Sequence, residues 1–249
     1  MFSLHGYAST TGTYSSLTAI PAAADPVLST SGNFIYVPTL SNIFGVYAMG
    51  TGLLRAQLSA PSLLADVPMD VTPVDANVIP ASPLPIQIDP LSPTKLVTDE
   101  PLQVAVTTGS SADVNVGILL SDGPLAKVSG RILHVRATTT TAATARAWFN
   151  STLTLTNQLA EGTYDLVGAR VDDAHTIFFR FVLPGGPTQI RPGGIGSSTI
   201  GKFQASDLFR NGNLGVWGTF SNRVLPTIDT MTDGTSGTAV VILDLIKKS

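Results

Sequence analysis

The sequence predicts an all-β protein: an antiparallel β-sandwich or jelly roll, with an N-terminal β segment and a Pro-rich extended connector. Ser, Thr, Val and Gly are abundant whereas Glu and Lys are scarce, a composition that disfavours long solvent-facing helices. Short apolar or alternating runs recur between turn residues, as in sandwiches and barrels. No repeat of fixed period is present, which argues against solenoids and propellers.

Three regions follow from the distribution of proline and of strand-like runs. Residues 1–60 form the N-terminal β segment, with strands expected at 13–20, 34–38, 43–49 and 53–58. Residues 61–101 hold nine of the seventeen prolines, which lack a backbone donor and exclude a central strand or helix interior. We expect an extended, docked connector with one edge strand near Pro85–Ile88; a flexible tether is the alternative. Residues 102–249 form the β-sandwich.

The sandwich region contains about eight to ten candidate strands, the number found in one jelly roll. Two hairpins are expected, one joining 102–108 to 114–120 and the other joining 163–171 to 176–183. In 176–183, Ile177, Phe179, Phe181 and Leu183 share one face, and Phe178 and Arg180 lie on the other. The remaining elements are strands at 130–138, 144–149, 151–156, 213–220 and 238–246, and a helical turn at Ser206–Arg210.

Charge is unusually low and unevenly distributed. Only 12% of residues are Asp, Glu, Lys or Arg, against about 25% in ordinary soluble domains, and residues 1–54 contain one charged side chain, Asp25. A free domain needs surface charge to remain separate from its neighbours, so we expect other copies of the chain to cover this segment. A neutral surface of Ser, Thr and Gly is the alternative.

Targeting signals are missing from the sequence. No basic residue precedes Arg55, so a secretory signal is not expected, and no apolar run is long enough for a transmembrane segment. The absence of cysteine rules out disulfides and thiolate metal sites.

Candidate catalytic and metal-binding residues are few. His5, His134 and His175 do not have metal-ligand spacing. We interpret Asp172, Asp173 and His175 as a charged hairpin tip, and His134, near Arg136, as a satisfied polar group or an interface contact. The only glutamates, Glu100 and Glu161, lie beside turn residues; an aspartate pair of a β-sandwich hydrolase stays open as an alternative.

Other motifs fail on spacing or context. Gly196–Phe203 resembles a phosphate-binding loop but has Phe203 where Ser or Thr is needed, and Gly234–Gly237 is not a nucleophile elbow. Asn150-Ser151-Thr152 is a glycosylation sequon without a secretory context. Trp148 and Trp217 fit core positions better than a sugar-binding face. We therefore expect no enzyme activity, no catalytic or metal-binding residue and no cofactor.

Strong nucleic-acid binding is not expected either. The fourteen Lys and Arg residues are dispersed, the net charge is −3, and Lys247-Lys248 is too short a basic run. There is no basic N-terminal arm to hold a genome.

Together, the uncharged N-terminal region, the Pro-rich connector and the β-sandwich resemble viral jelly-roll capsid (coat) proteins. The resemblance implies a self-assembling virion protein that packs its sandwich and exchanges extended segments with copies of itself in a shell or ring, with other virion proteins as further candidate partners. Two stacked jelly rolls are the second arrangement. The alternative functions are a secreted or surface carbohydrate-binding β-sandwich and a phage tail or spike protein.

Overall fold

The computed structural model describes residues 2–16, 18–19, 29–31, 34–36, 42–50, 53–63, 69–71, 74–75, 87–88, 93–145, 147–185, 191–196 and 208–248. Nearly all regular structure in these residues is β-strand, which confirms the predicted all-β class. The chain divides into two compact units, Phe2–Pro124 and Leu125–Ser249.

The described residues of the first unit form an eleven-stranded sheet and a short 3-10 helix at Pro61–Leu63. Its strands are β1 (Phe2–Ser16), β2 (Thr18–Ala19), β3 (Ser29–Ser31), β4 (Phe34–Tyr36), β5 (Asn42–Gly50), β6 (Leu53–Ser59), β7 (Met69–Val71), β8 (Val74–Asp75), β9 (Gln87–Ile88), β10 (Thr94–Lys95) and β11 (Pro101–Ser121).

The central strand of this unit is β11, which runs without interruption for 21 residues. The predicted hairpin across Gly109–Asp113 is therefore wrong. On one side β1 pairs with β11 from Phe2↔Leu120 to Ser16↔Ala105, and on the other side β5 and β6 pair with its two halves. The Gly-Ser-Ser run lies between Thr108, where the pairing with β6 ends, and Val114, where the pairing with β5 begins, and beside a register shift in the pairing with β1. Pairing before and after the run keeps the strand extended.

The short strands of the predicted connector add to the edges of this same sheet. Strand β7 pairs with β6, while β8, β9 and β10 pair with β5. Strand β9 lies where one edge strand was expected. Because β1, β4, β5 and β6 all hydrogen-bond to β11, residues 102–121 belong to the first unit, and the division falls after Pro124 rather than near residue 101.

The second unit contains two antiparallel sheets. Its strands are β12 (Leu133–Thr140), β13 (Trp148–Thr152), β14 (Thr154–Leu155), β15 (Thr163–Asp172), β16 (Thr176–Val182), β17 (Gly193–Ile195), β18 (Gly218–Ser221), β19 (Thr227–Thr232) and β20 (Thr238–Lys247).

The strand order of these sheets is that of a jelly roll. One sheet has the order β14-β12-β20-β15-β18 and the other β13-β19-β16-β17. With the two-residue β14 set aside, the eight remaining strands can be numbered one to eight along the chain. The strand order is then 1-8-3-6 in one sheet and 2-7-4-5 in the other. This is the double Greek key arrangement.

The structure of this unit differs from the predictions at several strands. Strands β15 and β16 were expected to form a hairpin, but they lie in different sheets, each between two other partners. Strand β19 was not predicted, because Asp229 and three threonines obscure its alternation, yet it lies between β13 and β16. The expected strand at 213–220 begins only at Gly218, and residues 208–209 form a 3-10 turn within the predicted helical turn.

Aromatic side chains fill the core of the second unit. Phe179, Phe181 and Trp217 are buried, with ring centroids 5.8 Å apart for Phe179–Phe181 and 6.5 Å apart for Phe181–Trp217. Phe178 and Arg180, on the opposite face of β16, are buried too. The strand is therefore covered on both faces, which the alternation in its sequence did not indicate.

At the contact between β16 and β17, Gly193 has no room for a side chain. A Cβ on Gly193 would lie 2.1 Å from the carbonyl oxygen of Phe179, whereas one on Gly123 would meet nothing within 4 Å. We expect Gly193→Ala to lower the free energy of unfolding by at least about 1–3 kcal/mol, as for overpacked cores, in urea titrations followed by tryptophan fluorescence. Gly123→Ala is the control, and equal stability of the two variants would contradict the prediction.

Candidate functional site

Three buried aspartates of the second unit are each paired with an arginine. The pairs are Arg170–Asp172, with Nε 2.5 Å from Oδ1; Arg180–Asp229, with Nε 3.0 Å from Oδ2; and Arg210–Asp244, with Nη2 2.9 Å from Oδ1. Removing an ionised carboxylate from water is costly unless a cationic side chain and hydrogen bonds replace the lost hydration. The pairs are therefore a condition for burying these strands.

Asp244, on β20, has the most complete set of partners. Its carboxylate accepts hydrogen bonds from Arg210 Nε at 3.1 Å and from the Asn211 amide at 2.7 Å. Asn211 has a φ of 57°, a left-handed conformation that asparagine tolerates. A Cβ on Gly168 of β15 would lie 3.0 Å from Asp244 Oδ2, so glycine leaves room for the carboxylate.

The electrostatics of this cluster favour ionised Asp244. Burial raises the pKa of Asp244, but hydrogen bonds from Arg210, the Asn211 amide and His134, with the charge of Arg210, hold the pKa below its ordinary value. His134 Nδ1 lies 2.7 Å from Asp244 Oδ1, and an ionised carboxylate accepts a hydrogen bond from that nitrogen. His134 is thus a satisfied polar residue on β12, and more than half of its side chain is exposed.

The Arg180–Asp229 pair extends to β13. Asn150 Nδ2 donates to Asp229 Oδ1 at 2.7 Å and to Thr227 Oγ1 at 2.9 Å, and the Arg180 guanidinium lies 4.3 Å from the ring centroid of Trp148. The sequon asparagine therefore contributes to a structural cluster. Trp217 is a core residue, whereas Trp148 is half-buried beside this cluster.

The predicted charged hairpin tip is divided in the structure. Asp172 pairs with Arg170, whereas Asp173 accepts from Thr176 Oγ1 at 2.7 Å. His175 Nδ1 lies 3.0 Å from Oδ2 of Asp233, a partner that sequence reasoning missed because it follows β19. In the described parts of the chain, no group of three or more His, Asp or Glu side chains is arranged to hold a metal ion.

The remaining candidates have structural partners or lie partly outside the described residues. Glu100 accepts hydrogen bonds from the amides of Ser62 and Val97, at 2.8 and 2.7 Å, and Glu161 forms an exposed pair with Arg223. His5 pairs in β1 with Gly117, but its side chain is outside the described set. Of Gly196–Phe203 only Gly196 is described; its amide donates to the Ile177 carbonyl at 2.9 Å.

Comparisons with known proteins give little. No family model matches the chain and no curated protein matches it. Among solved structures, the major capsid protein P2 from bacteriophage PM2 aligns over 98% of both chains, with 8% sequence identity and a TM-score of 0.29. At that score the likeness carries no argument about fold or function. None of the described helices is long and apolar enough to cross a membrane.

Breaking a buried pair should cost far more than breaking an exposed one. We expect Asp229→Ala to lower the free energy of unfolding by about 3–5 kcal/mol, since it leaves Arg180 buried without its carboxylate. Arg223→Ala breaks the exposed pair with Glu161 and should cost about 0–1 kcal/mol. Urea unfolding of both variants measures the difference, and a loss below 1 kcal/mol for Asp229→Ala would refute the structural role of the pair.

The His175–Asp233 pair should give a measurable pH dependence. The hydrogen bond that His175 donates to the Asp233 carboxylate raises the pKa of His175 above 6.5, against the smaller opposing effect of burial. Because the folded pKa is raised, the stabilisation is complete below the unfolded value of about 6.5 and is lost as pH rises through the folded pKa.

An NMR titration of the histidine ring protons, with His175→Gln to assign the signal, tests this. We expect Asp233→Asn to lower the pKa of His175 towards 6.5 and to remove the corresponding pH dependence of unfolding. Asp173→Asn, which removes only a weaker charge effect, should shift that pKa less. Unchanged titration in Asp233→Asn would show that the pair does not form.

Proposed function

We propose that this chain is a structural, non-enzymatic subunit that assembles with copies of itself, and specifically a viral capsid (coat) protein. The observation that carries the proposal is the near absence of charge from residues 1–54, in a chain whose second unit has jelly-roll strand order. Jelly rolls serve in capsids, in lectins and in cupins, so the fold alone does not select among them. The uncharged segment favours a surface that is covered in an assembly.

The contact energy available to such an assembly is large. At about 25 cal/mol per Å², burying roughly 1,000 Å² of apolar surface gains about 25 kcal/mol before association costs are subtracted. Modest contacts repeated around a closed lattice would hold a shell. The proposed location is therefore the virion, with copies of the same chain as principal partners.

The expected exchange of extended segments is modified by the structure. Backbone groups of Phe2–Ser16 pair with β11 of the same chain, and Ile43, Phe44 and Val46 of β5 are buried. Part of the uncharged segment thus completes its own sheet. We accordingly propose packing of exposed side chains between subunits in place of exchange of this strand.

Electron microscopy and light scattering of the purified protein test the function directly. Closed, regular particles are expected. A monomer that binds on a glycan array would favour the carbohydrate-binding alternative, and a closed trimer by mass would favour the tail or spike alternative. Either result would overturn the proposal.

A substitution in the uncharged segment tests whether it is covered. Phe34 is 40% exposed, and Val97, outside that segment, is 62% exposed. We expect Phe34→Glu to raise the critical concentration for assembly at least about tenfold, equivalent to about 1.4 kcal/mol per contact, because a carboxylate would be buried between subunits.

Val97→Glu is the matched control and should not raise the critical concentration for assembly. Both variants should keep the melting temperature of the unassembled subunit, since neither side chain is in the core. Normal particles from Phe34→Glu at wild-type concentration would show that this part of the segment lies outside the contacts.

A further inference from the structure

The two units carry opposite net charge. Residues 125–249 contain twelve of the fourteen Lys and Arg residues but eight of the seventeen Asp and Glu residues, which gives the second unit a formal charge of +4. Residues 2–124 contain two basic and nine acidic residues, giving −7. The basic residues that looked dispersed along the sequence are therefore concentrated in one unit.

The positive charge of the second unit does not reside in its buried ion pairs. Asp172, Asp229 and Asp244 are buried with arginine partners, and each of these pairs is neutral. Asp165 is also buried; it accepts a hydrogen bond from Thr219 and lies 3.5 Å from Lys248 Nζ. Setting the three Asp–Arg pairs aside leaves nine basic and five acidic residues, so the charge of the remaining side chains is still +4.

Exposed basic side chains lie at one end of the β12–β20 pair and, at Arg136, further along β12. Leu133 pairs with Leu245, so Arg131 and Lys247 each lie two residues beyond this pair, at the same end of the sheet. A Cβ on Gly130 would lie 2.9 Å from Ile246 Cγ2, which shows how closely the two chain segments approach there. We call Arg131, Arg136, Lys247 and Lys248, all exposed, the basic edge.

Arg136 occupies the outward face of β12. It is two residues from His134, whose partner Asp244 is buried and held by Arg210. The carboxylate of Asp244, which lies opposite His134 in the strand register, is thus neutralised by Arg210. Within its own sheet, Asp165 partly balances the charge of the basic edge through its contact with Lys248. The edge as a whole therefore presents positive charge.

We propose that the basic edge docks against the acidic first unit of a second copy of this chain, so that neighbouring subunits contact one another head to tail. This inference rests on the proposed assembly function and names the surfaces that meet. Complementary net charges of −7 and +4 favour this pairing over contact between like units, which would repel. The first unit has exposed carboxylates at Asp99 and Asp122.

The geometry of such a contact has a consequence for assembly. Different patches of the two copies meet, so the contact is heterologous and produces rings, shells or open chains rather than a two-fold dimer. Exposed charges are screened beyond about 8–10 Å at physiological salt, so the association must weaken as salt is added.

Three single charge reversals test the proposal in the full chain. Arg136→Glu and Lys247→Glu place a negative charge on the basic edge, whereas Lys95→Glu places it on the first unit, where Lys95 is exposed. Each changes the net charge by the same amount. We expect the first two to raise the critical concentration for assembly about fivefold, in line with a contact worth up to about 1 kcal/mol, and Lys95→Glu to leave it unchanged or lower it.

The measurements are light scattering and electron microscopy at about 50 and about 500 mM salt, with circular dichroism to verify folding. Wild-type assembly should weaken at the higher salt. Equal effects of all three reversals, or salt-independent particles, would overturn the docking proposal while leaving the assembly function intact. A chain that stays monomeric at both salts would overturn both.

A nucleic-acid role for the basic edge gives a different result. In that case Arg136→Glu and Lys247→Glu would leave particle formation unchanged after nuclease treatment but reduce the nucleic acid retained, seen in the ratio of absorbance at the nucleic-acid and protein maxima. That result would assign the edge to the phosphate backbone and would refute the contact between copies.

Discussion

Pairing of buried carboxylates with arginine is the constraint on which the second unit depends. Asp172, Asp229 and Asp244 lie on three different strands, and each meets an arginine within hydrogen-bonding distance. The cost of an unpaired buried charge is several kcal/mol, so these pairs restrict which strands can be neighbours. Asp229 and Arg180 occupy paired positions of β19 and β16, and Asp244 connects β20 to the segment that precedes β18.

The same pairs leave the net charge of the unit unchanged, because each pair is neutral. The excess of basic over acidic residues in residues 125–249 therefore belongs to the remaining side chains. In a chain with only 12% charged residues, a small number of such side chains would be enough to direct the proposed association, with apolar or neutral surface supplying the rest of the contact.

Backbone hydrogen bonding has the corresponding role in the first unit. Gly109, Ser110 and Ser111 favour a turn when considered alone. In the sheet, β11 pairs with β6 up to Thr108 and with β5 from Val114 onward, and satisfying the backbone groups on either side of the Gly-Ser-Ser run outweighs the local preference. Strands β8, β9 and β10 pair with β5. They supply hydrogen-bond partners to backbone groups at the edge of β5 that an unpaired edge strand would leave exposed.

Sequence alone determined the all-β class and the positions of strands that carry a clear apolar run or alternation between turn residues, such as β5, β6, β12 and β20, because such patterns are local. It also revealed the uncharged segment on which the functional proposal rests. Only the tertiary structure decided that β15 and β16 lie in different sheets, that β19 is a strand, and that His175 meets Asp233. Each of these depends on residues distant in the chain, and burial and charge pairing between such residues leave no mark on the spacing of either one.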